Sequence, residues 1–137
     1  MTTNLFNPNQ MSFEYSPRVI KRAQIALSCS PFRLKLFKQM RNQSVPIQQI
    51  SVDRGIKLGY AKQVMSESKS EAELVWLINV GLLRREVDGQ GLTDSFRLTP
   101  LGRQIVEQWE QEQNKIPAAS IAEQISHKLN RWLKFPL

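Results

Sequence analysis

Hydrophobic positions along this chain recur at helical spacing in most segments and at strand spacing only around residues 83–98. Val19, Ile20, Ala23 and Leu27 share one face of a helix that Ser16-Pro17 opens, the serine as cap and the proline at the first helical position. Ser30-Pro31 repeats that signal and predicts a second helix, with Phe32, Leu36, Phe37 and Met40 inward and Arg33, Lys35, Lys38 and Arg41 outward. Val45-Pro46-Ile47 is extended, and its proline confines it to a sheet edge. Residues 47–54 read as a short helix stopped by Gly55, with Ile47, Ile50 and Val52 turned in. Lys57–Glu67 has helical character through Leu58, Ala61, Val64 and Met65. Ser66–Ser70 weakens that helix, and Ser70-Glu71-Ala72-Glu73 has the spacing of a capping box. The pattern leaves open whether residues 58–81 form one helix or two, and favours a break near 68.

From Leu74 to Val80 the chain is too densely apolar for a surface helix, and Gly81 supplies a left-handed stop. Leu83-Arg84-Arg85-Glu86-Val87 then reads as a largely solvated strand, and Asp88-Gly89-Gln90-Gly91 as a turn. Ser95-Phe96-Arg97-Leu98 alternates polar and apolar as a half-buried return strand does. Thr99-Pro100 opens a helix running to Lys115, with Leu101, Ile105 and Trp109 at four-residue steps. Residues 116–119 form a linker. Ser120 caps a last helix with Ile121, Ile125, Leu129, Trp132 and Leu133 on one face, ended by Pro136. Residues 1–15 are rich in Asn, Gln, Ser and Thr and read as a flexible arm whose Phe6, Phe13 and Tyr15 dock on a neighbour.

The chain is thus mainly α with a small β-hairpin, one domain with appendages. The expected parts are an arm over 1–15, an N-terminal helix over 16–29, a core over 30–106 and a C-terminal helical extension over 107–137. Within the core, Gly81-Leu82-Leu83-Arg84-Arg85 and Phe96-Arg97-Leu98-Thr99-Pro100-Leu101-Gly102 resemble the entry to and exit from the wing of the winged helix-turn-helix superfamily. MarR-like, PadR-like and ArsR-like transcriptional regulators share these patterns. Residues 47–55 resemble the first helix of the helix-turn-helix pair. The resemblance implies a winged helix-turn-helix with extra N- and C-terminal helices. By the same resemblance, the function is that of a sequence-specific DNA-binding transcriptional regulator. The span from Gly55 to Gly81 is longer than the pattern requires, which implies an extra turn or short helix there.

Charge sharpens that reading. The net charge is +7, which suits an anionic partner such as nucleic acid or an acidic membrane surface. Residues 1–70 hold 11 Lys and Arg against 3 Asp and Glu, whereas residues 71–137 hold 8 against 9. All the excess positive charge therefore lies before the Leu74–Val80 helix. Arg54, Lys57, Tyr60, Lys62, Gln63 and Lys69 are the leading DNA contacts, the cations for phosphate and Gln63 and Tyr60 for phosphate or base edges. Arg84, Arg85 and Arg97 are candidate wing contacts, and because Arg84 and Arg85 point to opposite faces of a strand, at most one of these two reaches DNA. Glu71, Glu73, Asp88 and Asp94 sit where DNA would approach. They favour the alternative of a winged-helix protein–protein interaction module without DNA binding.

A small domain does not readily bury all of the terminal helix stripes. Val19, Ile20, Leu27, Trp109, Ile121, Ile125, Leu129, Trp132 and Leu133 are accordingly expected at a homodimer interface, which would also suit palindromic half-sites. Cys29 and His127 are single, so neither a disulfide within the chain nor a metal site is expected. No phosphate-cradling glycine motif or catalytic triad is visible, which argues against an enzyme and names no cofactor. The N-terminus lacks a secretory pattern, and residues 74–83 are too short to span a bilayer, so a cytoplasmic protein with no membrane partner is expected. Nothing identifies a small-molecule effector, an operator or a pathway.

Overall fold

The computed structural model describes residues 14–133, with side chains as far as Trp132. Residues 1–13 of the arm expected over 1–15, the Pro136 stop and the side chain of Leu133 lie outside the described residues, and Tyr15 of that arm packs against the core. The elements are α1 (Pro17–Ser28), α2 (Leu34–Asn42), β1 (Val45–Pro46), a 3-10 turn (Ile47–Gln49), α3 (Val52–Lys57), α4 (Glu67–Asn79), β2 (Leu83–Asp88), β3 (Gly91–Leu98), α5 (Pro100–Glu112) and α6 (Ile121–Leu133). Six α-helices thus surround one small antiparallel sheet among the described residues. No described helix is long and apolar enough to cross a membrane.

Strong local signals produced the elements they announce. Ser16 accepts from Val19 N–H at the start of α1, and Thr99 accepts from Gly102 N–H at the start of α5. Gly81 has φ +87 and closes the turn after α4. The sheet order is β1-β3-β2, with Val45 opposite Phe96 and Leu83 opposite Leu98. Pro46 lies on an edge strand, where its missing N–H costs no ladder bond. The register shifts between Arg85 and Val87, so the hairpin tip pairs as Val87–Leu92 and Asp88–Gly91. Phe32, Phe37, Leu74, Leu77, Phe96 and Ile105 are fully buried between the helices and the inner face of the sheet.

The segment between residues 30 and 70 departs from its hydrophobic pattern. α2 starts at Leu34, after an extended Pro31-Phe32-Arg33. Ser30 does not cap it: its hydroxyl donates to Leu27 O and accepts from Phe32 N–H. Gly55 does not end a helix but lies buried inside α3. A Cβ there would fall 1.9 Å from the Ile50 carbonyl oxygen, so the glycine is required for close approach. Val52 has φ +49 and is exposed rather than inward. The helix expected over 57–67 is absent: residues 58–66 are a stitched loop, with Phe32 bridged to Ala61. Its apolar spacing reflects Ala61 and Met65 plugging the core singly, while Val64 is exposed. Residues 58–81 therefore hold one helix, α4, and it begins at Glu67 under a Ser66 cap, not at the Ser70 capping box. Ser70 itself is buried.

Candidate nucleic-acid interface

The loop over 58–66 carries basic residues onto one face by backbone hydrogen bonds. Arg33 N–H donates to Tyr60 O at 2.9 Å, and Lys62 N–H donates to Pro31 O at 2.9 Å. These bonds bring the start of α2 beside the loop, so Arg33 and Lys35 join Lys62. The Lys35 chain lies along Gly59. α3 adds Arg54 and Lys57, both exposed. Between Ser30 and Ser66 the sequence holds seven Lys and Arg against one carboxylate, Asp53. Asp53 pairs only with Lys57, at 3.2 Å. The Lys57 ammonium holds the Asp53 carboxyl below its ordinary value. Among the described residues Lys62 Nζ donates to the Ser30 carbonyl alone, at 3.3 Å. Burial lowers its pKa, and the Arg33 charge lowers it further. Lys38 and Arg41 do not belong to this free set, because Glu110 of α5 binds both, at 3.4 and 2.7 Å.

Of the other DNA-contact candidates, Gln63 is exposed beside Lys62. Tyr60 is not the exposed contact its position in the sequence suggests: it is 7% exposed, because the loop folds its ring into the core, and it has little surface to offer a ligand. Lys69 lines one cleft with Lys62 and Gln63, and its ammonium binds Glu73 at 2.7 Å. Arg33 and Lys35 were missing from the candidates. Their outward placement on α2 was the available signal, but only the loop bonds show that they adjoin Lys62.

On the hairpin, Arg84 stands opposite Arg97, and Arg85 opposite Phe96. Arg97 binds Glu86 at 2.8 Å. Arg85 lies over the Phe96 ring, 4.9 Å from its centroid, and binds Glu71 at 3.0 Å and Asp94 at 3.5 Å. Arg84 is exposed and forms no ion pair among the described residues. The outer face of α4 between hairpin and loop presents Glu67, Ser68, Glu71 and Ala72 and carries no cation.

α6 sits on the body through its polar face. Arg131 donates to Glu73 at 2.7 Å and lies over Trp76, His127 meets Trp76 edge-on at 5.8 Å, and Lys21 binds Glu123 at 2.7 Å. Burial pushes the Glu73 carboxyl up, but hydrogen bonds from Lys69 and Arg131 outweigh it and leave the pKa lowered. Burial lowers the His127 pKa, and the Arg131 charge adds to that shift against the opposing pull of Glu73. With this face inward, the apolar stripe faces out: Ile121 is 76% exposed, Ile125 and Leu129 are each 55% and Trp132 is 78%. The remaining dimer candidates are elsewhere. Leu27 and Trp109 are buried in the chain's own core because α1, α2 and α5 close over them, and Val19 and Ile20 are half-buried against that core.

Cys29 is half-buried in a cleft of about 460 Å³ beside Lys62, His127 and Lys128. Burial, then the Glu123 charge, raises its thiol pKa.

Residues 13–131 match the Npun_F0494-like family, and the chain belongs to that family. No curated protein matches it. No solved structure matches it either.

Proposed function

We propose that this member of the Npun_F0494-like family is a winged helix-turn-helix, DNA-binding transcriptional regulator that acts in the cytoplasm as a homodimer. The observation that carries the reading is the patch of Arg33, Lys35, Arg54, Lys57 and Lys62, five exposed cations with one carboxylate among them. The element order from α2 through β3 supports a winged reading, with α3 and α4 as the helix-turn-helix pair and β2–β3 as the wing. In this reading the patch grips phosphates, and Arg84 is the wing contact. The face of α4 holding Ser68 and Ala72 meets base edges, where a serine hydroxyl hydrogen-bonds a base and an alanine methyl packs on a thymine methyl.

The dimer in this proposal uses α6 alone. Ile121, Ile125, Leu129 and Trp132 follow one stripe at steps of four, four and three, the seam spacing of helix pairs. An antiparallel pairing centred on His127 sets Ile125 of one copy against Leu129 of the other. The reading assigns no catalytic residue.

Binding of the intact protein to duplex DNA over a range of salt tests the proposal. Engagement of the patch predicts a log–log slope near −0.9 per phosphate contact. Lys62→Gln removes about one contact from that slope, while Arg97→Gln leaves it unchanged. Absence of binding to a broad genomic DNA pool at low salt rejects the proposal.

A second reading, a protein-interaction module, draws support from the hairpin. Arg85 and Arg97 are occupied by Glu71, Asp94 and Glu86 rather than offered to phosphate. Recovery of one stoichiometric protein partner, with DNA binding absent, selects that reading.

A further inference from the structure

α6 leaves a cavity of about 220 Å³ against α1 and α4. Buried Ala26 and Trp76, with Ile25, form its apolar side, and Arg18 and Arg22 bring charge to it. Two side-chain donors on its lining residues lack acceptors among the described residues. The Trp76 Nε1–H and the Arg22 Nε–H are both shielded from solvent and meet no hydrogen-bond partner. Trp76 is only 7% exposed, so its indole N–H cannot turn to bulk water. Buried donors without acceptors are rare in native proteins, and an ordered water or a bound ion is among the things that satisfy them.

That partner does not come from the nearby carboxylates. Glu123 is bound to Lys21, and Glu73 is bound to both Lys69 and Arg131. Arg18 and Arg22 form no ion pair among the described residues. The site thus offers the Trp76 indole N–H and two guanidinium groups without an ion pair, one of which carries the unpartnered Arg22 Nε–H, beside an apolar wall. Its complement is a group with at least two acceptor oxygens and a negative charge.

We propose that the cavity between α1, α4 and α6 binds a small oxyanion, a carboxylate or a phosphate, whose oxygens accept from Trp76 Nε1 and Arg22 Nε. Arg18 adds electrostatic attraction, and Ile25, Ala26 and the indole flank any apolar part of the ligand. The volume is below that of sites for drug-sized molecules, which suits a small metabolite or ion. The occupant lies against Ser126, His127 and Asn130 of α6, so it ties that helix to the body. None of the lining residues belongs to the basic patch of α2, α3 and the 58–66 loop, so the inference stands or falls independently of DNA binding.

The chain has three tryptophans, so nitrogen-15 labelling of the intact protein gives three indole N–H signals, resolved by Trp132→Phe and Trp76→Phe. Acetate, benzoate and inorganic phosphate are titrated separately at constant ionic strength, with chloride as the control. The expected result is a saturable downfield shift of the Trp76 signal with at least one of the three probes and none with chloride. Arg22→Gln weakens that binding about tenfold or more, consistent with loss of a charged hydrogen bond, while Arg84→Gln leaves it unchanged. The relative response to benzoate and to phosphate separates a carboxylate ligand from a phosphate. A Trp76 signal that no probe moves, or that moves equally with chloride, means that the donors are met by water only and overturns the proposal. Equal affinity in Arg22→Gln overturns it too, and the wild-type titration decides the matter even if a variant fails to fold.

Discussion

Arg131 of α6 donates to Glu73 of α4 at 2.7 Å, 58 residues away in sequence. The same carboxylate takes Lys69 Nζ at 2.7 Å on its other oxygen. Its side chain is only 8% exposed, so the two cations replace water that the carboxylate cannot reach. This clamp and the His127–Trp76 contact hold the polar face of α6 inward and thereby turn its apolar stripe outward.

Removing the clamp loosens α6. Glu73→Ala is expected to cost about 1–3 kcal/mol, the range for losing charged hydrogen bonds at a partly buried site. Urea unfolding measures the loss, and amide exchange should localise the added opening to α6. An unchanged midpoint would show that α6 is held by other contacts.

His127 makes the same seat sensitive to acid. Its pKa lies below the ordinary 6.5 in the folded chain, through burial, then Arg131, against Glu73. The unfolded chain therefore takes up the proton first. The histidine's contribution to stability is complete above about pH 6.5 and is lost as pH falls below that value toward the folded pKa. Unfolding measured from neutral to mildly acidic pH should show a loss that His127→Gln flattens. A histidine proton NMR titration at or above the ordinary midpoint would contradict this sign.

Gly55 is the glycine with least room for a Cβ. A Cβ there would sit 1.9 Å from the Ile50 carbonyl oxygen and 3.2 Å from the Ala61 methyl. Both the 3-10 turn and the 58–66 loop would have to shift. Gly55→Ala should cost about 3 kcal/mol or more, at or beyond the usual range for overpacking. Gly89→Ala, with nothing near its Cβ, should leave thermal stability nearly unchanged. Equal melting temperatures for the two variants would refute the close-approach argument.

The outward stripe of α6 makes a separate claim. Ile125→Glu with Leu129→Glu should convert a dimer to a monomer in sedimentation equilibrium and leave the circular dichroism of the monomer intact, because both side chains are more than half exposed. A wild-type chain that is monomeric at high concentration would remove the dimer from the proposal.

Much of the architecture was legible where the signal was local. Ser16-Pro17, Gly81 and Thr99-Pro100 each act within a few residues, and α1, the end of α4 and the start of α5 lie where these residues place them. Gly55 was misread because a stop glycine and a close-approach glycine look alike in sequence. Leu58, Ala61 and Met65 mimic a helical face although each is set by a different partner, as the bridge from Ala61 to Phe32 shows. Basic bias before residue 70 pointed to one half of the chain, but not to which cations stay free. Lys62 meets no carboxylate among the described residues, whereas Arg41 loses its freedom to Glu110 across 69 residues.

By itself, the sequence determined the helical and hairpin elements with strong caps, the edge position of β1, the apolar stripe of α6 and the location of the excess positive charge. These follow from steric and hydrogen-bonding preferences that operate over a few residues. Only the tertiary structure decided that residues 58–66 form a loop stitched to the start of α2. It alone decided that Leu27 and Trp109 belong to the core, and that Arg85 and Arg97 are neutralised while Arg33 and Lys35 join the patch. Those outcomes depend on contacts between residues distant in sequence, where burial and pairing, rather than local propensity, set the energy.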